Sequence, residues 1–522
     1  MPNPLRPGGA TAVAPRPSAE DTLPDRPRRS TLGAVAVAVF ALALAVRLHP
    51  VLQGGGLHGM ANYDDGVHYA AAVGLVHGQL PYRDFLLLHP PGIVVLLAPV
   101  AALGRLVGDP DAFALARLGW MAMSGLNALL VGAVLWRLGA VAALVGAVGY
   151  AVFFPAVYSS HTVLLEPPGT TGLLLSLLLV RAVDAELPRG GRWRLLLAGA
   201  LLGATTTLKI WGVVPVLVVV VWLLLRRRGR DAWTYLAGAA GICVVICLPF
   251  FLAAPATMWR MVITDQLGRG RSNRSLVSKL EQLSGVSPWA DSGYGWLLAP
   301  ALVVLAAATV VSLVRPRTRL LGALMVVLTA LLLGAPSWFL HYPELAAAPA
   351  MLVLGAAVGA LADTLRRRAG RTVAGALVGV VVVVAVLSTY PLLALRLGDR
   401  FPGASLAETL ASTPGCVTAD DPTVLIETDL LGRNLERGCS LVVDPGGYSY
   451  DLVEPGAARV SRARNQAWQA WYLDHLREGD AAITVRYTTR FGLSRATAAT
   501  IRSWPVLAEV GDVVVRQPQP AR

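Results

Sequence analysis

Long runs of apolar residues, separated by short connections rich in arginine, occupy most of the chain between residues 31 and 395. A membrane-spanning helix needs roughly 20 mostly apolar residues, and many of the runs approach or reach that length. The pattern therefore predicts an α-helical polytopic membrane protein with about eleven transmembrane helices. The predicted spans are residues 31–48, 113–136, 140–158, 168–183, 193–208, 211–225, 233–253, 296–314, 318–334, 344–363 and 371–395.

The arginine-rich connections orient these helices. They lie at 181–194, 226–228, 315–319 and 366–368, and cytoplasmic loops of membrane proteins carry such an excess of positive charge. With all four connections in the cytoplasm, each pair of helices between two connections crosses the membrane outward and then returns to the cytoplasm. The N-terminus is then cytoplasmic, and the last helix delivers residues 396–522 to the outer side.

This orientation requires the first outer loop, residues 49–112, to begin and end outside, although its part 92–107 is apolar. We predict that 92–107, which Pro90-Pro91 opens, is a re-entrant or interfacial segment, because such backbone is tolerated at membrane depth where protein buries it. The alternative is that 92–107 crosses the bilayer and another weak run does not.

Three regions follow from this division. Residues 1–30 are polar and rich in proline, which predicts a disordered cytoplasmic tail, and residues 31–398 form the transmembrane domain. Residues 399–522 alternate β-rich runs, at 416–420, 440–444, 481–485 and 512–516, with helical runs at 464–478 and 489–503. That alternation is typical of a small α/β domain, here placed outside the membrane.

Cysteine placement agrees with an outer location of this domain. Cys416 and Cys439 each begin a predicted strand on the side where disulfides are permitted, so we predict a bridge between them. Cys243 and Cys247 lie one turn apart within a predicted span and are interpreted as small apolar residues.

Composition supports the membrane assignment and excludes several functions. The chain is 55% hydrophobic and 15% charged, whereas a soluble domain carries about 25% charged residues. Its net charge of +13 follows from the cytoplasmic arginines and does not indicate nucleic-acid binding. The sequence contains no phosphate-binding P-loop, no dinucleotide fingerprint and no zinc-ligand spacing.

The most informative polar segment is residues 62–91, directly after the first apolar run. Two adjacent carboxylates, Asp64 and Asp65, stand just past the end of a predicted helix. Ionisable groups at a membrane boundary are costly unless they are solvated, paired or used, so they are functional candidates. The topology gathers further unusual polar residues on the same outer face: His68, Tyr69, Tyr82, Arg83, His89, Glu166, Lys209, Arg269, Arg271, His341 and Tyr342.

Each of these residues also has an ordinary interpretation. Outer loops are polar in any membrane protein, and Lys209 could extend its ammonium group from an apolar run to the interface. The pair Arg269 and Arg271 would suit a phosphate, but it could equally be loop charge. Asp64 and Asp65 would be the ligands of a divalent cation such as Mg²⁺ or Mn²⁺ if the protein uses one, and no other cofactor is expected.

Several of these motifs together resemble a known superfamily. The acidic pair, the following Tyr, Gly78-x-x-Pro81-Tyr82-x-Asp84-Phe85 and His89-Pro90-Pro91 are similar to polytopic GT-C glycosyltransferases, including protein O-mannosyltransferases and lipid A aminoarabinose transferases. Further similarities are Leu-Leu-Glu-Pro at 164–167, where that family has a second acidic residue, Thr-Leu-Lys at 207–209 and His-Tyr at 341–342.

The resemblance implies a function. GT-C enzymes transfer a sugar from a polyprenyl-phosphate carrier to an acceptor on the outer face of the membrane. The resemblance implies that the acceptor here is a glycan, lipid or protein of the cell envelope and that the protein lies in a bacterial plasma membrane. Asp64 matches the carboxylate that acts as general base, whereas Asp65 stands where many members have Glu. Glu166 is the third catalytic candidate. An inverting displacement with a lipid-phosphate leaving group needs positive charge, for which Lys209, Arg269 and Arg271 are candidates.

Two other classes compete with an enzyme. A transporter or flippase of a lipid-linked glycan should carry ionisable residues at mid-helix and internal repeats, whereas here the polar residues cluster on one face. A non-catalytic envelope scaffold would not need to keep Asp64, Lys209 and His341.

Overall fold

The computed structural model describes residues 29–184, 191–268, 270, 273–452, 460–485 and 492–520. The tail up to residue 28 and both Arg269 and Arg271 lie outside the described residues, so the predictions made for them stay predictions. The chain divides into two units, residues 1–38 and residues 39–522. All contacts given below lie within the second unit.

Every predicted span is helical, although the span 140–158 is divided into two helices at Phe153. The α-helices of the transmembrane region are α1 (Arg29–Gln53), α2 (Tyr63–Val76), α3 (Gly92–Val107), α4 (Asp109–Leu135), α5 (Ala140–Val152), α6 (Phe154–Ser159), α7 (Glu166–Val180), α8 (Arg192–Thr206), α9 (Val213–Leu225), α10 (Gly229–Ala253), α11 (Pro255–Trp259), α12 (Asp265–Leu267), α13 (Leu276–Ser284), α14 (Ser287–Trp289), α15 (Leu298–Val314), α16 (Arg319–Gly334), α17 (Glu344–Ala369) and α18 (Arg371–Ala394).

In the described chain, six helical stretches are long and apolar enough to cross a membrane. They include α1, α4, α10, α15, α17 and most of α18. Four further apolar helices have 10–17 residues, namely Gly92–Val107, Ala140–Val152, Ile210–Leu225 and Arg319–Gly334. The helical architecture is therefore as predicted, whereas the count of eleven crossings and their orientation stay predictions.

Helix α3 corresponds to the apolar segment of the first outer loop. It has 16 residues, which at 1.5 Å per residue is about 24 Å, shorter than the roughly 30 Å of a hydrocarbon core. It packs against α2 and α4 and leaves Val95, Leu96 and Leu106 exposed. Helices α16 and α9, which belong to predicted spans, are no longer than α3, so the prediction that α3 does not cross the bilayer stays a prediction.

The C-terminal domain contains a four-stranded sheet of β1 (Val417–Ala419), β2 (Ala481–Thr484), β3 (Val506–Val510) and β4 (Val513–Arg516), in the order β1-β2-β4-β3. Strands β1 and β2 are parallel, and the β2–β4 and β3–β4 pairs are antiparallel. The helices of the domain are α19 (Gly403–Leu410), α20 (Pro422–Glu427), α21 (Leu431–Glu436), α22 (Tyr448–Asp451), α23 (Gln466–Arg477) and α24 (Arg495–Ser503).

One strand prediction in this domain was wrong, and one strand was missed. Residues 440–444 are not a strand, because Leu441 and Val443 are buried in an apolar cluster with α2 and α3 instead of pairing in the sheet. Strand β3 was not predicted, because its residues are half or fully exposed and show no alternation. It forms through the hairpin at Gly511, whose φ of 60° favours glycine.

The cysteine pair is joined as the sequence predicts. Cys416 and Cys439 form a disulfide with a Cα–Cα distance of 5.9 Å, which ties the residue before β1 to the segment after α21. Cys243 and Cys247 are free thiols on α10.

The C-terminal domain packs directly on α2. A Cβ atom on Gly66 would lie 2.2 Å from Oγ1 of Thr423 on α20, so only glycine permits this approach. Ile426 and Leu431 join the apolar cluster that surrounds α2 and α3. The start of α2, with its two carboxylates, is therefore held between the transmembrane region and the C-terminal domain.

Candidate active site

A cavity of about 1140 Å³ lies where the start of α2, the segment before α7, the loop between α16 and α17, and the C-terminal domain meet. Pockets for small molecules commonly measure about 300–1,000 Å³, so this cavity has room for more than one small group. Its walls carry carboxylates, imidazoles, guanidinium groups and aromatic rings, a mixture that suits a polar, partly charged substrate.

Asp64 stands in this cavity as a free carboxylate. It lies in the first turn of α2, where the side chain of Asn62 accepts a hydrogen bond of 3.0 Å from the Asp64 backbone N–H. No hydrogen bond to its carboxylate is formed by the described residues, and the residue lines the cavity while only half-buried. Because no described residue donates to its carboxylate, Asp64 is available to accept a proton from a substrate.

Asp65 points away from the cavity and is fully buried. One of its oxygens forms an ion pair of 2.9 Å with Arg117 of α4 and accepts a hydrogen bond from Thr162, and the other accepts from the N–H of Gly66 at 2.7 Å. The same guanidinium reaches Glu427 of the C-terminal domain at 3.2 Å. Asp65 therefore anchors α2, and its neighbour Asp64 is presented to the cavity.

His68 follows Asp64 by one turn of α2 and also lines the cavity. Its Nδ1 lies 3.0 Å from the carbonyl oxygen of Val163, which accepts a hydrogen bond from it in the tautomer that carries the proton there. Nε2 has no hydrogen-bond partner among the described residues. The ring meets that of His89 edge-on at 5.8 Å, so the two imidazoles form one patch of the wall.

A second charged cluster joins α7, the end of α8 and the loop before α17. Nζ of Lys209 lies 2.9 Å from Oε1 of Glu166, and Nε2 of His341 lies 3.8 Å from the same oxygen. The ammonium also sits 3.7 Å from the ring centre of Tyr342 and 4.6 Å from that of Trp211, as cation–π contacts require. Lys209 is thereby fixed at the cavity wall.

Burial sets the protonation of His341. It lowers the pKa of the imidazole, against the opposing influence of the Glu166 carboxylate. His341 is therefore neutral at pH 7, and the net charge of the cluster is close to zero because Lys209 offsets Glu166.

Three predicted site residues lie away from the cavity. The hydroxyl of Tyr69 donates to Asp109, and that of Tyr82 donates to the carbonyl oxygen of His89 at 2.7 Å. Tyr82 therefore shapes the turn that carries His89 but offers no free polar group to the cavity. Arg83 forms an exposed ion pair with Asp84.

Sequence reasoning did not identify the residues that the C-terminal domain contributes to the cavity. Asp444, Arg400, Arg462 and Asp512 line the same cavity, and none of the four is among the site residues predicted from the sequence. The one available signal was the Asp-Pro-Gly-Gly turn at 444–447, because adjacent glycines allow backbone to approach closely.

The structure does not combine Asp64 and Asp65 into a cation site. The carboxylate of Asp65 is occupied by Arg117 and Thr162. Among the described residues no three His, Cys, Asp or Glu side chains converge as ligands of a metal ion would. The arrangement of Asp64 and Asp65 thus does not fit the divalent cation considered from the sequence.

A second cavity of about 680 Å³ lies between α5, α15, α17 and α18 and is almost entirely apolar. Trp289, Trp296 and Val384 are among its lining residues. Helix α13 separates the two cavities, since Gln282 lines the polar one and Ser284 the apolar one. A ligand with a polar head and a long apolar chain would suit this neighbourhood.

Comparisons with known proteins bear on the fold and on the class of this chain. The model of glycosyltransferase family 87 matches residues 87–341, slightly less than half of the chain. ArnT from Cupriavidus metallidurans, solved with undecaprenyl phosphate, superposes with a TM-score of 0.57 at 16% identity over 94% of this chain and 98% of its own. The chain has the GT-C fold.

A second solved structure with the GT-C fold extends the comparison. The oligosaccharyltransferase AglB from Archaeoglobus fulgidus, in complex with an inhibitory peptide and a dolichol-phosphate, matches with a TM-score of 0.54 at 13% identity over 86% of this chain and 69% of its own. No curated protein matches the chain. The predicted resemblance to GT-C glycosyltransferases is confirmed, and the matches support a membrane glycosyltransferase as the class.

Proposed function

We propose that this protein is an inverting membrane glycosyltransferase that moves a sugar from a polyprenyl-phosphate donor to a cell-envelope acceptor on the outer face, with Asp64 as general base. The observation that carries the proposal is the free carboxylate of Asp64, held at the start of α2 in a large polar cavity. The similarity to GT-C structures supports the same reaction class.

The reaction is a single displacement. The acceptor O–H gives its proton to the Asp64 carboxylate while its oxygen bonds to the anomeric carbon of the donor sugar. The bond from that carbon to the phosphate oxygen breaks, and its electron pair leaves with the polyprenyl phosphate. One base suffices, because a phosphate is a good leaving group without protonation, whereas glycosidases need two carboxyl groups.

The leaving phosphate needs positive charge. Lys209 and Arg274 line the cavity and would supply it. Glu166, at 2.9 Å, keeps the Lys209 ammonium in place, and His341 is neutral and suited to hydrogen bonding. Arg269 and Arg271 belong to the same loop as Arg274, and we retain them as candidate phosphate ligands.

The donor's lipid chain has a matching environment. The apolar cavity on the other side of α13 is lined by Trp289, Trp296 and residues of α15, α17 and α18. Burial of each CH₂ group contributes about 0.8 kcal/mol, so a polyprenyl chain there would hold its phosphate beside the polar cavity.

The test is transfer from a panel of radiolabelled polyprenyl-phosphate sugars to an envelope extract by the purified protein. Replacing Asp64 by Asn should reduce the rate by about two to four decades, the usual value of a general base, while insertion and thermal stability stay unchanged. Asp84→Asn is the matched control, since Asp84 belongs to the same loop but lies in an exposed ion pair. More than a tenth of wild-type activity in Asp64→Asn would place the base elsewhere.

A further inference from the structure

The C-terminal domain supplies a carboxylate, Asp444, that lines the same cavity as Asp64 and has no assigned role. Oδ1 of Asp444 accepts hydrogen bonds from the hydroxyl of Tyr63, at 2.9 Å, and from the N–H of Gly447, at 2.7 Å. Oδ2 receives none from the described residues, and Asp444 lines the cavity. One oxygen is thus held firmly while the other stays available to a ligand.

Two glycines build the wall around this carboxylate. A Cβ on Gly447 would lie 2.2 Å from Oδ2 of Asp444 and 3.0 Å from a methyl carbon of Leu86, and a Cβ on Gly446 would lie 3.1 Å from the guanidinium of Arg462. The backbone of Gly447 is in an ordinary helical conformation, so glycine is needed there for space and not for its φ angle. The absence of a side chain at Gly447 therefore makes room for Oδ2.

This turn is tied to the start of α2. The Tyr63 hydroxyl that donates to Asp444 also accepts from the N–H of Gly446 at 2.8 Å, and Tyr63 directly precedes Asp64. Burial raises the pKa of Asp444 and the neighbouring charge of Asp64 raises it further, whereas the hydrogen bonds from Gly447 and Tyr63 lower it. The two carboxylates therefore belong to one site, with fixed relative positions.

We propose that Asp444, with Arg462 beside it, forms the acceptor subsite, and that the acceptor is a carbohydrate. This inference rests on the proposed transferase function. Asp64 takes the proton of the reacting hydroxyl, and Oδ2 of Asp444 accepts a hydrogen bond from a neighbouring hydroxyl of the same sugar. A carboxylate only accepts and a guanidinium only donates hydrogen bonds, so together they match a polyol, whose hydroxyls do both.

The sheet argues against an extended peptide as acceptor. The cavity is lined by Thr484 and Val485 at the end of β2 and by Asp512 and Val513 at the start of β4. Both strands already have a partner on each side, so within the described part of the sheet the cavity meets strand ends and no free edge. Peptides that bind sheets add to a free edge, and none is offered here.

The variant Asp444→Asn tests the role of Oδ2. Asparagine keeps an oxygen for Tyr63 and Gly447 but replaces the free acceptor by an NH₂ donor. Gly447→Ala tests the same atom by placing a methyl group in the space that Oδ2 occupies. Asp474→Asn is the matched control, because Asp474 is an exposed carboxylate of the same domain.

Binding is measured by saturation-transfer difference NMR on the full-length protein in lipid nanodiscs, with methyl α-mannoside, methyl β-glucoside and methyl α-arabinofuranoside as probes and a threonine-containing hexapeptide as the other class. We expect a glycoside to bind the wild type and Asp474→Asn, and to bind Asp444→Asn and Gly447→Ala about ten- to a hundredfold more weakly, as loss of a charged hydrogen bond implies.

Three results would overturn the inference: no glycoside binding to the wild type, glycoside binding that is equal in all four proteins, or preferential binding of the peptide. Failure of the proposed transferase function is a separate outcome. It would appear as glycoside binding that depends on Asp444 without transfer from any polyprenyl-phosphate donor. Where transfer occurs, Asp444→Asn should raise the KM for the acceptor and leave that for the donor within about twofold.

Discussion

Replacing Arg117 by Met should loosen the contact between the C-terminal domain and α2. Arg117 bridges Asp65 at 2.9 Å and Glu427 at 3.2 Å, and all three side chains are at most 1% exposed. Met fills similar space but leaves two carboxylates buried without their cation. Removing one partner of a buried ion pair costs about 3–5 kcal/mol, which is the expected loss of stability at this contact.

Hydrogen exchange measures that loss locally. Peptides that cover α20 and the start of α2 should exchange about two to three and a half decades faster in the variant, since roughly 1.4 kcal/mol corresponds to a factor of ten. Arg83→Met is the matched control, because the Arg83–Asp84 pair is exposed and such pairs contribute about 0–1 kcal/mol.

A double variant separates the charge effect from lost packing. Adding Glu427→Gln to Arg117→Met removes one of the two stranded charges, so exchange should slow again relative to the single variant. An increase below tenfold in Arg117→Met, or one equal to that of Arg83→Met, would refute the claim that this ion network fastens the domain to α2.

Three further predictions concern pH, the disulfide and topology. The hydrogen bond to Glu427 raises the pKa of the half-exposed His58. The protonated His58 should therefore stabilise the α20 contact by about 0.2–1 kcal/mol, fully below its ordinary pKa of 6.5 and no longer above the raised pKa. Hydrogen exchange at α20, corrected for intrinsic rates, should rise as the pH passes above the raised pKa, and an equal rise in His58→Gln would refute this. Alkylation without reduction should modify two of the four cysteines in intact mass spectra, sparing Cys416 and Cys439, whose bridge contributes about 3 kcal/mol to the stability of the C-terminal domain. Four modified thiols would refute the bridge. Single cysteines introduced at position 83 or 111, in a chain without its free thiols, should both react with an impermeant thiol reagent added outside. A cysteine at position 367 should not react. Labelling of only one of the two loop positions would refute the eleven-span topology.

The helical architecture could be predicted from composition alone. In a bilayer every backbone polar group needs an internal partner, so a long apolar run has few alternatives to a helix. All eleven predicted runs are helical for this reason. The disulfide partners could also be predicted, because only two of the four cysteines lie outside the apolar runs.

The sequence could not say which member of the acidic pair is exposed to the cavity. Asp64 and Asp65 are neighbours on α2, and consecutive helical residues point about 100° apart. Which one faces Arg117 depends on how α2 packs against α4, and that packing involves a glutamate more than 300 residues away. Local pattern contains no information on such a contact.

The same limit applies to Asp444. The run that precedes it has the composition of a strand, and only its burial against α2 and α3 makes it an irregular segment that ends in a turn. The sequence by itself determined the membrane helices, the domain order and the acidic pair, because these follow from local hydrophobicity and residue type. Only the tertiary structure decided which carboxylates share the cavity, because long-range packing sets the direction of each side chain.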